Sequence, residues 1–421
     1  MLAINGGEPV IKYEFKPYIT IGEEEIEAVV RVMRTGNLSK FIGAWCDDFY
    51  GGPTVQKFEK EWASFFGVKH AISVNSWTSG LTAAIGAIGI EPGDEIIVSP
   101  WTMAASATAI LHWNAIPVFA DISHEDFCLD ITSTERVITE FTKAIMIVDI
   151  FGQSADMDGF KTLARKYNLK LITDSAQSPG ATYMDQLTGT MSDIGGFSLN
   201  YHKHIHTGEG GMIVTNDSNL AERARLIRNH AEAVVGGKGE LNLSNMVGYN
   251  FRLGEIEAAI GIEQLKKLPA LLKSRQKIGD TLGEKLSMIP GLTVPNNMPG
   301  RNSAYYVLPM VLDLEKLSVG RNEIYSALVA EGVNGLFEGY TNLHLLPMYQ
   351  NKIAYGSKGF PWVPGIAHRE IDYSVGICPV AEELHSSSFM GFEVCKYNLS
   401  EIEVDLIVEA FRKVFDFYAL G

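Results

Sequence analysis

The sequence predicts an α/β fold: a large domain with a mostly parallel sheet sandwiched by helices, then a smaller C-terminal α+β domain. Three observations predict it. Short β-branched or apolar runs recur between turn signals: "HAISV", "DEIIVSP", "IPVFADI", "KAIMIVDIFG", "LKLITDSAQ", "DIGGFSL" and "GGMIVTND". Such runs, bounded by Gly, Pro, Asp or Ser, read as strands. Stretches with helical spacing of apolar residues separate several of them, which argues for parallel strands covered on both faces. The alternation then stops after a long helical stretch, and the chain of 421 residues has room for two or three domains.

In chain order, "EEEIEAVVRVMRTG" reads as an amphipathic helix closing on Gly36. "SGLTAAIGAIGI" is a helix following the strand "HAISV", and "DGFKTLARKYN" a helix before "LKLITDSAQ". The stretch from "GEIEAAIG" to "KLSMIPG" is helical and is expected to kink or break near Pro269, because proline lacks the N–H that a helix interior uses. Beyond it, "AYYVLPMVLD" and "YSVGICPV" read as strands, and "RNEIYSALVAEG" and "SEIEVDLIVEAFRKVFDFY" as helices. The expected division is a large domain over 1–269, including the N-terminal segment, and a small domain over 270–421.

Composition excludes several functions. The formal net charge is −15 and no basic stripe is visible, which argues against a nucleic-acid surface. Cys46, Cys128, Cys378 and Cys395 are far apart and form no CxxC pair, so a disulfide framework or zinc ribbon is not expected and a cytoplasmic setting is. The N-terminus lacks the pattern of a signal peptide. No apolar stretch approaches the ~18 residues of a membrane span.

Three places can carry chemistry. In "SVNSWTSGLTAAIG", Thr78, Ser79 and Gly80 stand at a strand-to-helix junction, where exposed N–H groups bind anions such as phosphate. The plainer reading is an ordinary helix cap. Asp174 ends an apolar strand, where ligands gather in α/β sheets, and it can pair with a protonated ring nitrogen or simply start a turn. "SLNYHKHIHTGEGG" holds His202, Lys203, His204 and His206. Three histidines at alternate positions suggest a metal clasp and a zinc hydrolase. They fall in a connection, however, with only Glu209 as an acidic neighbour, so no metal is expected. Lys203, in a partly buried polar loop, can act as a nucleophile. It lies 203 − 174 = 29 residues after Asp174.

Phosphate cradle, strand-end acid and lysine, in that order, resemble fold-type I pyridoxal-phosphate enzymes. The local spelling is similar to the DegT/DnrJ/StrS-type sugar aminotransferases along nearly the whole chain: "GGPTVQKFE", "PVFADI", "IFGQSADMD", "TDSAQSPGA", "FSLNYHK", "TGEGGMIVTND", "RLIRNHAE", "GYNFRLGEIEAAIGIEQLKKL" and "LHLLPMY". The resemblance implies that Lys203 binds pyridoxal 5′-phosphate covalently and later shuttles a proton. It implies that Asp174 pairs with the ring nitrogen, and that Gln177 lies near the ring hydroxyl. Ser198, Thr78 and Ser79 bind the phosphate, and Asn250 reaches it from the other subunit of a homodimer. Two positions depart. Met103 stands where the family has a stacking aromatic, with Trp101 the nearby alternative, and Asp149 stands where it often has His.

Some relatives put histidine at the lysine position and are dehydratases. Here Lys203 keeps the family's five-residue distance to Gly208, which favours transamination over a dehydratase using pyridoxamine phosphate. A non-catalytic regulator on the same scaffold is disfavoured by the intact Lys203, Asp174 and Ser198. The implied activity converts a keto- or aldehydo-sugar to an amino sugar, with L-glutamate as donor and pyridoxamine 5′-phosphate midway. Lipopolysaccharide or surface polysaccharide biosynthesis is the expected setting. The expected acceptor is a nucleotide-linked keto-sugar, the alternative a non-nucleotide oxidised sugar such as an 8-oxo octulosonate. Tyr201, His202, Tyr340 and His344 are candidates for the sugar side, and Trp45, Phe49 and Tyr50 for its mouth.

Overall fold

The computed structural model describes residues 1–295 and 298–420. Its large sheet has seven strands: β1 (His70–Val74), β2 (Glu95–Val98), β3 (Ile116–Phe119), β4 (Thr142–Val148), β5 (Lys170–Asp174), β6 (Ile194–Ser198) and β7 (Gly211–Thr215). Their order is β1-β7-β6-β5-β4-β2-β3. Strands β3, β2, β4, β5 and β6 run parallel, as the strand–helix alternation predicts. β7 is antiparallel to both β6 and β1. The reason is local: only the twelve-residue connection 199–210 joins β6 to β7, and it folds back on itself rather than crossing over the sheet.

Helices α1 (Glu23–Thr35), α2 (Pro53–Phe66), α3 (Trp77–Ala87), α4 (Ala104–His112) and α5 (Met157–Tyr167) precede the sheet's last strands. α1 closes on Gly36, whose φ of 72° is the left-handed cap conformation. α3 is capped by Ser76, whose Oγ accepts from the Ser79 N–H at 3.1 Å.

Helix α6 (Glu255–Ser287) runs 33 residues without a break, with Pro269 inside it. The expected interruption does not occur. Apolar residues on both sides of the proline, Leu265, Leu268 and Leu272, are buried in one cluster, and this packing outweighs the missing hydrogen bond.

The second sheet is antiparallel and contains Leu308–Leu312, Leu336–Glu338 and Phe389–Phe392. "AYYVLPMVLD" thus supplies a strand, but "YSVGICPV" does not. Gly376 turns the chain at φ 97°, and Pro379 begins a short helix, Pro379–Glu383. Leu2, Ile11 and Phe15 pack into the core around this second sheet, with Leu282, Leu308 and Phe411. These residues of the N-terminal segment, which the sequence reading groups with the large domain, thus pack around the second sheet.

Candidate active site

β5 ends at Asp174, which is 5% exposed and pairs in register with Gly196 of β6. Its carboxylate is gripped from two helices. Trp77 Nε1 at the start of α3 donates to Oδ1 at 2.7 Å, and Ser106 Oγ on α4 donates to Oδ2 at 2.7 Å. The Ala176 N–H also donates to Oδ1, at 3.2 Å. The indole needs a slot without side chains. A Cβ on Gly196 would come within 2.4 Å of it, and one on Gly80 within 2.5 Å.

Lys203 sits in the β6–β7 connection. Its backbone N–H donates to Asn200 O at 2.9 Å, and its Nζ lies 4.4 Å from the centroid of the Tyr306 ring. The histidines around it build the loop. His204 is buried and donates from Nε2 to Ala304 O at 2.7 Å, while Tyr18 Oη donates to His204 O at 3.0 Å. His206 Nδ1 accepts from the Gly208 N–H at 3.3 Å. Among the described residues no three His, Cys, Asp or Glu side chains are placed to hold a metal ion.

Burial pushes the Lys203 amine down to about 8, opposed by the Asp174 and Cys395 charges. In the cofactor-free protein the amine is protonated below that pH and neutral above it. Its reaction with a carbonyl reagent is expected to speed up as pH rises through about 8, rather than through the ordinary lysine value of 10.5. The rate of pyridoxal-phosphate uptake against pH measures this, and an inflection near the ordinary value would contradict it.

Lys203 and Asp174 open into one cavity of about 290 Å3, lined also by Thr78, Met103, Gln177, Ser198, His202, Tyr306 and Tyr340. Gln177 Oε1 accepts from the Phe151 N–H at 2.8 Å, which fixes the amide beside Tyr340. Met103, 65% exposed, lines the cavity; Trp101 is fully buried against Tyr340 and Phe389 and does not. Behind Asp174, Asp149 is buried, accepts from Ser175 Oγ at 2.6 Å, and is pushed up to about 7 by burial.

Other predicted residues lie apart. Ser79 turns to Ser76, Oγ to Oγ 2.9 Å, and leaves the cavity wall to Thr78. Tyr201, 70% exposed, lines a neighbouring cavity of about 420 Å3 that shares His202, Lys203 and Tyr306. Asn250 is exposed and away from this chain's Lys203 cavity, its Oδ1 accepting from Arg252 Nε at 2.7 Å. His344 is corrected outright: it is fully buried, with Nε2 2.9 Å from Glu382 Oε1, and does not line the Lys203 cavity. Trp45, Phe49 and Tyr50 pack on one another edge to face, away from that cavity. Sequence reasoning missed Trp77, Ser106 and Tyr306. The first stands inside the motif read for phosphate, and only its contact with Asp174 reveals it.

The donor set fits pyridoxal phosphate: a buried amine of lowered basicity, a fixed carboxylate across the cavity, and the N-terminus of α3 with Thr78 and Ser198 hydroxyls for an anion. Fold and site together define a pyridoxal-phosphate-dependent transferase of fold type I. Residues 20–378 match the DegT/DnrJ/EryC1/StrS aminotransferase family, and the chain belongs to that family of sugar aminotransferases. It is 36% identical to the GDP-perosamine synthase of Caulobacter vibrioides over 71% of this chain and 79% of that one. It is 32% identical to the L-glutamine:scyllo-inosose aminotransferase of Streptomyces griseus over 99% and 97%. Among solved structures, an aminotransferase from Psychrobacter cryohalolentis superposes with a TM-score of 0.81 at 28% identity, covering 96% of this chain and all of that one.

Proposed function

We propose that this aminotransferase converts the carbonyl group of a sugar to an amine with L-glutamate as donor, as a homodimer whose active sites lie at the subunit interface. The observation that carries this is the buried Lys203 amine, held at about 8, sharing one cavity with the gripped Asp174. Pyridoxal phosphate, when bound, carries the amino group between donor and acceptor and draws electrons from the donor's α-carbon. Lys203 takes the proton from that carbon and later delivers one to the acceptor carbon. Asp174 would accept a hydrogen bond from the ring nitrogen and balance its positive charge. The first turn of α3, Thr78 and Ser198 would hold the phosphate. Met103 would pack against the ring through its thioether. The exposure of Asn250 supports its service to the partner's site. Tyr340, Gln177 and His202 face the acceptor.

For the acceptor, the family offers nucleotide-linked keto-sugars, as the name GDP-perosamine synthase illustrates. Two observations favour the second class, a hydroxylated substrate without a nucleotide. The relative that matches almost the whole chain is named for scyllo-inosose and for L-glutamine, which also makes L-glutamine a candidate donor. In addition, a third cavity of about 500 Å3 shares Thr102, Met103, Gln177, Tyr306 and Tyr340 with the Lys203 cavity. It adds Glu338 and Glu393, and no Lys or Arg lines it. Both carboxylates are already paired, Glu338 with Arg321 Nε at 3.8 Å and Glu393 with Lys396 Nζ at 3.2 Å, so this wall offers a pyrophosphate no spare cation. The test is a panel of carbonyl sugars and cyclitols, with and without a nucleoside diphosphate, incubated with holoenzyme and L-glutamate or L-glutamine. Mass spectrometry is expected to find an amine in place of the carbonyl oxygen, in the nucleotide-free compounds. Loss of water without amine would instead identify a dehydratase.

A further inference from the structure

We propose that Trp77 and Ser106 are positioning residues that set the direction in which Asp174 meets the cofactor ring. An ionised carboxylate offers about four acceptor positions. Three are already filled by protein: Trp77 Nε1 and the Ala176 N–H on Oδ1, and Ser106 Oγ on Oδ2. Asp174 nevertheless lines the cavity, so its remaining capacity is turned toward the ligand.

The two side-chain donors come from α3 and α4, 97 and 68 residues away in sequence. A donor on each oxygen stops the carboxylate from rotating. Neither donor can drift. The indole is seated in the slot of Gly80 and Gly196, and a Cβ on Gly211 would come within 2.8 Å of the Trp77 backbone N. Ser106 Oγ lies 3.0 Å from Thr102 Oγ1. The planar heteroaromatic ring is therefore met along one line, and its depth and tilt in the cavity follow from that line. This inference rests on the assignment of Asp174 to the ring nitrogen.

Trp77→Phe removes the N–H and trims the indole to a single ring; Ser106→Ala removes only the hydroxyl and is the cleaner of the two. Each variant is made as holoenzyme, stripped of cofactor and titrated with pyridoxal phosphate. The Kd is expected to rise about tenfold in each, the scale of one hydrogen bond to a charged group. The visible circular dichroism of the bound cofactor is expected to weaken, because its sign and intensity report ring orientation. The melting temperature of the cofactor-free protein is expected to fall as well, because each variant removes a donor from a buried carboxylate; the visible dichroism is the readout that a merely structural role would not move. Unchanged Kd and unchanged visible dichroism in both variants would overturn the inference. If Trp77→Phe does not fold, Ser106→Ala decides alone. Asp174→Asn separates the two levels. If it too binds normally, the assignment of Asp174 fails; if it alone loses affinity, only the positioning role fails.

Discussion

Lys203→Ala is expected to lower amino transfer by at least about 10³-fold, within the range lost when a positioned acid–base group is removed. The neighbouring His202, Tyr306 and Tyr340 are poor substitutes. His202 is the adjacent base, but burial, and then the Lys203 charge, push it down to about 4, and the larger cause, burial, persists in the variant. At neutral pH it is uncharged and has no proton to give, and its low basicity makes it a poor acceptor. Tyr306 and Tyr340 hold their protons still more firmly: burial raises both phenols, Tyr340 to about 12. Single-turnover mixing with L-glutamate, followed by absorbance, measures the loss. The visible band of the purified protein should vanish with the lysine, since the cofactor is no longer attached. Added small alkylamines should recover part of the rate, because the variant leaves a cavity where the side chain stood. Near-normal turnover in Lys203→Ala would remove the lysine from the mechanism.

The second large effect is expected from Asp174→Asn, about 10²- to 10³-fold in kcat at saturating cofactor, the loss seen when one fixed electrostatic partner is neutralised. The orientation of the new amide can be foreseen. Trp77 Nε1 can only donate, so the amide oxygen must stay on its side. The amide nitrogen then takes the place of Oδ2 beside Ser106, whose hydroxyl reverses to accept. The shape of the site survives while its negative charge is lost. Retained cofactor and normal kcat would show that the charge is not needed.

The parts of this molecule that depend on neighbours in sequence were legible before its structure. Strand–helix alternation announced the parallel sheet. Asp174 and Lys203 stood out only through the family resemblance: alone, an Asp at a strand's end reads as a turn residue, and the distance from Lys203 to Gly208 has meaning only as the family's spacing. Contacts across the chain were not legible. "NSWTSG" reads as a phosphate cradle, and nothing nearby says that its tryptophan reaches a residue 97 positions on. Tyr306 opens the approach to a strand and looks like core until its ring is found under Lys203. His344 shows the opposite failure. A histidine in a polar-looking loop invites a role with sugar, yet Glu382 holds it inside the protein. The break expected at Pro269 failed for the same reason, since a local rule about one missing hydrogen bond says nothing about two flanks of buried leucines.

The way the N-terminus is used has a consequence for how the molecule is made. Glu331 is buried and accepts from the Ala3 N–H at 2.8 Å and the Val10 N–H at 3.1 Å, across sequence separations of 328 and 321 residues. During synthesis, these two N–H groups meet Glu331 only after the 328 and 321 residues that separate them from it. Domains otherwise tend to fold as they emerge. Here the large sheet can form while Leu2, Ile11 and Phe15 still wait for the segments that pack over them.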